Sequence, residues 1–214
     1  VCKKYNLLII EDAAEALGSF YKKKHLGTWG DFGILSFNGN KIITTGGGGA
    51  ILAKKKYQEK YFRHLSTHAK LSVKNDHIHD QIGFNYRMTN LSAAVGCAQL
   101  ENINKIIKSK RFNYQFYKKK LEKNNYCSIL QEPKNSFVNY WLITAIFENT
   151  DKKKNFISNM NKVGLGLRNL WRPLHTLKIY NHCQSDNLDN SNEIFDKALN
   201  LPSSPFLFNK FNEN

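Results

Sequence analysis

Residues 7–53 read LLIIEDAAEALGSFYKKKHLGTWGDFGILSFNGNKIITTGGGGAILA and contain three short apolar segments separated by turns. The first segment, Leu7–Ile10, is a continuous apolar run followed by two carboxylates, and it predicts a strand buried on both faces, as in a parallel sheet. Two further strands are predicted at 33–37 and 50–53. Because ligands of open α/β sheets meet the carboxyl ends of the strands, Asp12 is expected at a ligand-binding edge.

The turn-rich stretch after residue 37 carries Lys41, and a run of four glycines, 46–49, follows it closely. Each feature alone has an ordinary interpretation. An aspartate after a strand commonly caps a helix, a lysine commonly lies in solvent, and glycines commonly form a flexible loop. The glycines do not form a P-loop, since no Gly-Lys-Ser or Gly-Lys-Thr follows them. The joint pattern of Asp12, Lys41 and the glycine run is more specific than any one of its parts.

The second half of the chain has a different pattern of predicted elements. A helix is predicted from a cap at Thr89 or Asn90, kinked or broken, to about Lys123, and it is expected to connect two domains. Beyond it, short strands and helices predict a small α+β domain, and the tail at 206–214 shows no clear closing element. The other predicted elements are helix 55–69, strand 140–147, helix 153–162, a strand or loop at 164–171 and helix 192–199.

The composition limits the class of protein. Of 214 residues, 41% are hydrophobic, which is enough to bury a core in one large domain or two small ones. No run of about 18 apolar residues predicts a membrane-spanning helix. The net charge of +15 invites a nucleic-acid interpretation, but the sequence carries no matching motif, and the charge also suits attraction of an anionic small substrate. We expect neither a nucleic-acid nor a membrane partner.

The cysteines and histidines form no recognisable metal or redox motif. The four cysteines lack metal-ligand spacing, which favours a reducing, cytoplasmic compartment. His77, His79 and Asp80 form a short cluster, but no further ligand group accompanies them in a clear motif, and we expect no metal site. Because the first residue is not methionine, we also expect the chain to begin partway through a longer protein.

Four stretches resemble one known family, in that family's order. The stretches are EDAAEALGSFYKKKHLGTWGDFGILSFNGNKIITTGGGGAIL (11–52), HLSTHA (64–69), IGFNYRMTNLSAAVGCAQLE (82–101) and LWRPLH (170–175). They are similar to the nucleotide-sugar aminotransferases of the DegT/DnrJ type. The resemblance implies an α/β fold, the C-terminal part of a pyridoxal-phosphate-dependent transferase of fold type I, shortened at its N-terminus.

The resemblance also implies a domain division. Residues 1–105 are expected to form the C-terminal portion of the large cofactor-binding domain. Residues 106–125 are expected to form a connecting helix, and residues 126–214 a small C-terminal α+β domain.

The resemblance further implies roles for residues of the first half of the chain. Asp12 is expected to pair with the ring nitrogen of pyridoxal phosphate. Lys41 is expected to form the Schiff base with its aldehyde and to carry the proton during transfer. Ser36 is expected to bind the phosphate, Ala14 to pack against the ring, and Glu15 to lie near the ring hydroxyl.

Four more residues receive roles from the same resemblance. Family members form a homodimer whose active sites are shared, which implies that Asn85 or Arg87 contacts a phosphate in the neighbouring site. Trp171 and His175 are expected to line the sugar-nucleotide site from the small domain. The implied partners are a nucleotide-sugar substrate, an amino donor and a second copy of the chain.

The implied function is transamination of a keto-sugar linked to a nucleoside diphosphate, with glutamate as amino donor, in surface glycan or polysaccharide biosynthesis. A UDP-linked 4-keto-6-deoxy-N-acetylhexosamine is the implied sugar. Lysine at position 41 favours transamination, because some relatives with histidine at that position dehydrate sugars. Three alternatives stay open: an inactive or incomplete remnant acting as a binding module, a pyridoxal-phosphate-dependent sugar dehydratase, and a basic nucleic-acid-binding protein.

Overall fold

The computed structural model describes residues 1–208 of the chain. The chain divides into two compact units. The first unit comprises Val1–Lys105 together with Lys134–Asn139. The second comprises Ile106–Pro133 and, among the described residues, 140–208. The segment 134–139 therefore returns to the first unit after the second has begun.

Mixed short strands and helices make up both units. The strands are β1 (Ile10–Asp12), β2 (Phe20–Tyr21), β3 (Lys24–His25), β4 (Phe32–Ser36), β5 (Gly49–Ala53), β6 (Ser128–Ile129), β7 (Ser136–Phe137), β8 (Ile143–Ile146), β9 (Arg168–Asn169) and β10 (Ala198–Leu201). The α-helices are α1 (Lys56–Ser66), α2 (Asn90–Glu101), α3 (Ile103–Tyr117), α4 (Thr150–Lys162) and α5 (Asp189–Lys197). None of the helices within residues 1–208 has both the length and the apolar character needed to cross a membrane.

The main sheet of the first unit has the order β1-β4-β5. Strand β1 runs parallel to β4, with Asp12 opposite Ile34, and β5 runs antiparallel to β4. A smaller sheet has the order β3-β2-β7. The strands predicted at 33–37 and 50–53 are confirmed as β4 and β5. The parallel pair places the carboxyl ends of β1 and β4 at the same edge.

The expected burial of the first strand is wrong. Leu8 and Ile10 are 72% and 66% exposed, and only Ile10–Asp12 forms a strand. Among the residues that the structure describes, β1 pairs with β4 alone, so its other edge is uncovered. An apolar run shows that a segment can be buried, but its place in the sheet decides whether it is.

The loop before β4 passes close to the backbone just before β1. The N–H of Asp31 donates to the carbonyl of Ile9 at 2.8 Å, and the N–H of Ile9 donates to Oδ2 of Asp31 at 2.8 Å. A Cβ added to Gly30 would lie 2.7 Å from that carbonyl oxygen. Glycine at position 30 is therefore needed for this approach.

Replacing Gly30 with alanine is expected to lower the free energy of unfolding by about 1–3 kcal/mol, because the new methyl group overpacks the Ile9 backbone. Gly39→Ala is the matched control, since a Cβ there meets nothing within 4 Å. Urea unfolding of both variants measures the difference. Equal stability of the two variants would contradict the close approach.

The helix start predicted at Thr89 or Asn90 is confirmed. Oγ1 of Thr89 accepts the N–H of Ser92 at 3.2 Å, which caps α2. The long helix predicted to Lys123 is broken at Asn102, where α2 ends and α3 begins. The turn at Lys118–Glu122 is a π-helix, so the α-helical part stops at Tyr117.

The second unit is built on an antiparallel sheet of order β6-β8-β10-β9. The helix predicted at 192–199 is wrong in its last two residues, because α5 ends at Lys197 and Ala198 begins β10. Strand β10 lies between β8 and β9, and all four of its residues are buried. A short apolar run does not distinguish helix from strand by periodicity, and here pairing on both sides decides.

Polar side chains of α3 bind the backbone of the segment that follows β10. Nζ of Lys110 donates to the carbonyls of Ser203 and Trp141. Nδ2 of Asn113 donates to the Ser204 carbonyl at 2.8 Å. Lys110 is only 4% exposed, and its amine sits among carbonyl groups. Burial lowers the pKa of Lys110 to about 8.

Candidate active site

The shared edge of β1 and β4 carries a carboxylate and a hydroxyl. Asp12 ends β1 and Ser36 ends β4, and the two strands are parallel. Oδ1 of Asp12 accepts the N–H of Ala14 at 3.1 Å, and Oγ of Ser36 accepts the N–H of Asn38 at 3.3 Å. Each side chain thus binds the backbone of the loop that follows its own strand. Asp12 is exposed and Ala14 is half-buried.

Lys41 reaches the loop that follows Asp12. Its N–H closes a turn onto the Asn38 carbonyl at 3.0 Å, and the next two residues, Ile42 and Ile43, are 6% and 1% exposed. The Lys41 side chain is 14% exposed, and its Nζ lies 3.1 Å from Oε1 of Glu15. The buried isoleucines anchor the backbone beside the lysine, while its amine faces a carboxylate.

Two side chains that the sequence did not single out hold these loops. Oε1 of Gln99 accepts the N–H of Thr44 at 3.1 Å, and Nε2 of Gln99 donates to the Thr44 carbonyl at 2.6 Å. Nδ2 of the buried Asn139 donates to the carbonyls of Glu15 and Leu17 at 2.8 and 3.0 Å. A signal for Gln99 was available, since it is a polar residue in the apolar stretch AAVGCAQL. None was available for Asn139.

The glycine run turns the backbone directly after this lysine loop. Gly46 and Gly48 have φ of +82° and +81°, a conformation that favours glycine. An added Cβ at Gly48 would lie 3.1 Å from Cε of Met88, whereas nothing lies within 4 Å of one at Gly46 or Gly47.

The donor set at this edge fits pyridoxal phosphate. The group needs an amine for its aldehyde, an anion for its protonated ring nitrogen and hydrogen-bond donors for its phosphate. Lys41, Asp12 and Ser36 are of these types, and all three belong to the first unit. The Lys41 side chain is also largely enclosed.

Asn85 and Arg87 are exposed and lie on a segment fastened to the end of α1. The N–H groups of Tyr86 and Arg87 both donate to the Ser66 carbonyl, at 3.0 and 3.1 Å. The Phe84 N–H donates to the Leu65 carbonyl at 2.7 Å. The backbone of this segment is therefore held, while the two polar side chains are open to solvent.

Trp171 and His175 belong to the second unit. Trp171 is 70% exposed and stacks on Trp141, with ring centroids 6.0 Å apart. Nε2 of His175 lies 2.9 Å from Oδ1 of Asn192. His175 also lines a cavity of about 600 Å³. The cavity is lined by Pro173, Leu174, His175, Tyr180, Cys183, Gln184, Ser185, Leu188 and Ser191.

The histidine cluster is used in local hydrogen bonds. Nε2 of His64 lies 2.7 Å from Oδ1 of Asp80, and this hydrogen bond lowers the pKa of Asp80. Nδ1 of His79 lies 2.7 Å from the His68 carbonyl. Within residues 1–208, no three His, Cys, Asp or Glu side chains are grouped so that they could hold a metal ion.

Comparison with known proteins gives one consistent result. Residues 1–211 match the DegT/DnrJ/EryC1/StrS aminotransferase family. GDP-perosamine synthase of Escherichia coli O157:H7 is 35% identical over 210 residues, which cover 98% of this chain and 57% of that protein. The putative pyridoxal phosphate-dependent aminotransferase EpsN of Bacillus subtilis is 34% identical over 207 residues, covering 95% of this chain and 53% of that protein.

The solved structures agree on the fold. Helicobacter pylori PseC, an aminotransferase involved in pseudoaminic acid biosynthesis, matches with a TM-score of 0.87 at 21% identity, covering 96% of this chain and 57% of that one. The chain spans about half the length of the relatives it matches. The matched part is the C-terminal part of their fold. The expected fold class and the resemblance are confirmed, and the chain belongs to the DegT/DnrJ/EryC1/StrS aminotransferase family, whose aminotransferases depend on pyridoxal phosphate.

Proposed function

We propose that this chain belongs to an enzyme that transfers an amino group from glutamate to a keto-sugar linked to a nucleoside diphosphate, in surface glycan biosynthesis. The observation that carries the proposal is the edge where Asp12 ends β1 and Lys41 meets Glu15 at 3.1 Å. The names of relatives support the substrate class. They include GDP-perosamine synthases and a UDP-4-amino-4,6-dideoxy-N-acetyl-beta-L-altrosamine transaminase of Campylobacter jejuni that is 29% identical. The finer proposal for the sugar is a UDP-linked 4-keto-6-deoxy-N-acetylhexosamine.

Each residue of the edge has a distinct task in this proposal. When bound, pyridoxal phosphate supplies an aldehyde that accepts amino groups and a ring that withdraws electrons from the adjoining carbon. Asp12 holds a proton on the ring nitrogen through its negative charge. Ser36 donates its hydroxyl to the phosphate, and Ala14 packs against the ring. Lys41 would hold the cofactor through a covalent bond to its aldehyde and would move a proton to and from the donor's α-carbon.

Glu15 is proposed to act beside Lys41. The two side chains form an ion pair, and Glu15 is half exposed whereas Lys41 is mostly enclosed. The carboxylate orients the amine toward the loop after Asp12. Glu15 would be the residue near the ring hydroxyl of a bound cofactor.

The rest of the proposed site comes from other segments. We propose a homodimer in which Asn85 or Arg87 contacts a phosphate in the neighbouring site. Their exposure on a backbone fastened to α1 supports this, as does the fork geometry of arginine, which suits phosphate. Trp171 and His175 are proposed to bind the sugar nucleotide. In support, Trp171 offers an exposed aromatic face, and His175 lines a cavity of about 600 Å³.

Cofactor trapping tests the proposal. The purified chain is mixed with pyridoxal phosphate, reduced with borohydride and digested, and the modified peptide is located by mass. We expect the label on Lys41, and we expect it to be lost when glutamate is added before reduction. Label scattered over surface lysines, or no label, would contradict the proposal if the result is the same when the N-terminal part of the relatives' fold is supplied as a second chain. Product analysis with a nucleotide-linked keto-sugar then distinguishes an amino sugar from a dehydrated one.

A further inference from the structure

Glu11, the residue before Asp12, binds a loop rather than solvent. Its Oε2 accepts the N–H of Gly27 at 2.8 Å, and its Oε1 accepts the N–H of Gly30. Partial burial acts to raise the pKa of Glu11, but the N–H groups of Gly30, Gly27 and Trp29 together hold that pKa below its usual value. The carboxylate is therefore an ionised clamp on residues 27–30, the segment just before β4.

The clamp joins β1 to the loop just before β4. Strand β1 has three residues and pairs with β4. Polar contacts hold β1 to the segment before β4. Glu11 accepts the N–H groups of Gly27 and Gly30, Oδ2 of Asp31 accepts the N–H of Ile9, and the N–H of Asp31 donates to the Ile9 carbonyl.

The position of Asp12 depends on the same strand. Successive side chains of a strand point to opposite faces, so Glu11 and Asp12 lie on opposite faces of β1. A slip of one residue in pairing exchanges those faces and removes the carboxylate of Asp12 from its site. A carboxylate bonded to two N–H groups of the neighbouring loop resists such a slip, because charged hydrogen bonds are strong and directional.

We propose that Glu11 is a positioning residue for the amino-transfer reaction. By clamping residues 27–30 to β1, it fixes the register of the strand and so the place of Asp12 at the cofactor's ring nitrogen. This inference rests on the proposed function, because Asp12 has that role only in the cofactor-bound enzyme.

The test uses Glu11→Gln, with Glu101→Gln at the exposed end of α2 as matched control. Two readouts are needed: hydrogen exchange of the Gly27 and Gly30 amides, and the pH dependence of the absorbance of the protein loaded with pyridoxal phosphate. In Glu11→Gln we expect exchange at both glycines to rise about tenfold or more. We expect the absorbance midpoint to shift by about half a pH unit or more. The control should change neither. Glu11→Asp, which keeps the charge but is too short to hold both glycines, gives a second variant should the first not fold.

The two readouts separate positioning from a merely structural clamp. If Glu11 acts through Asp12, Glu11→Gln adds no further midpoint shift in an Asp12→Asn background. A shift that persists in that background, faster glycine exchange with an unchanged midpoint, or unchanged exchange would each overturn the inference. The borohydride trapping experiment distinguishes failure of the proposed function from failure of this inference. If wild type takes no label at Lys41, with or without the N-terminal part of the fold supplied, the proposed function is contradicted, and the inference falls with it.

Discussion

Lys41→Arg is expected to lower the rate of amino transfer by about 10²–10⁴-fold while leaving the fold intact. Arginine keeps the positive charge beside Glu15, so the ion pair seen at 3.1 Å can persist. Its guanidinium does not lose a proton at working pH and therefore neither bonds to the cofactor nor carries a proton. Transfer of the amino group from glutamate to a nucleotide-linked keto-sugar is the rate to measure.

A second substitution at the same position isolates the proton-transfer role. Lys41→Ala leaves room for a small amine, and added methylamine is expected to restore part of the rate, whereas it should not help Lys41→Arg. Lys56→Arg, at the exposed start of α1, is the control for a general effect of the exchange and should retain full activity. Normal activity in Lys41→Arg would show that this amine is not the catalytic group.

Lys110 is expected to make the protein more stable as the pH rises from about 8 to 10.5. Burial lowers its pKa in the folded protein to about 8, from 10.5 in the unfolded chain. Between those values the unfolded chain binds more protons, so the free energy of unfolding increases with pH. Across the whole window the gain approaches about 3 kcal/mol.

The comparison with Lys110→Met isolates this effect, because methionine fills a similar volume without a titrating group. Tyr117 and Cys127 have pKa values raised by burial, to about 12 and about 11, and they oppose the gain at the upper end of the range. Both are present in both proteins, so the difference between the two pH–stability curves reports Lys110. Lys108→Met, an exposed position on α3, is the control. Parallel curves for wild type and Lys110→Met would contradict the prediction.

The sequence predicted individual strands and a helix cap better than it predicted their burial and their neighbours in the sheet. Local patterns found β4, β5 and the cap at Thr89, because alternation, turn residues and capping chemistry act over a few residues. The burial of β1 and the strand at Ala198 were mistaken, because both depend on which strands lie alongside. A local sequence pattern does not show which strands will pair with a segment.

The same limit applies to the candidate site. The apolar run before Asp12 predicted that this residue lies at the end of a strand, and in the structure Asp12 ends β1. The meeting of Lys41 with Glu15, and the support of Thr44 by Gln99, join positions 26 and 55 residues apart. Such contacts are fixed by the path of the chain in space, which spacing alone does not give.

The return of residues 134–139 to the first unit governs how the gene can be recombined. Strand β7 pairs with β2, and Asn139 holds the loop that carries Glu15. A chimera joined to a relative at a single crossover near residue 105 therefore inherits that short segment from the wrong parent. To exchange the whole first unit between relatives, two further crossovers are needed, one on each side of 134–139. Residues 1–105 and 134–139 then come from the same parent.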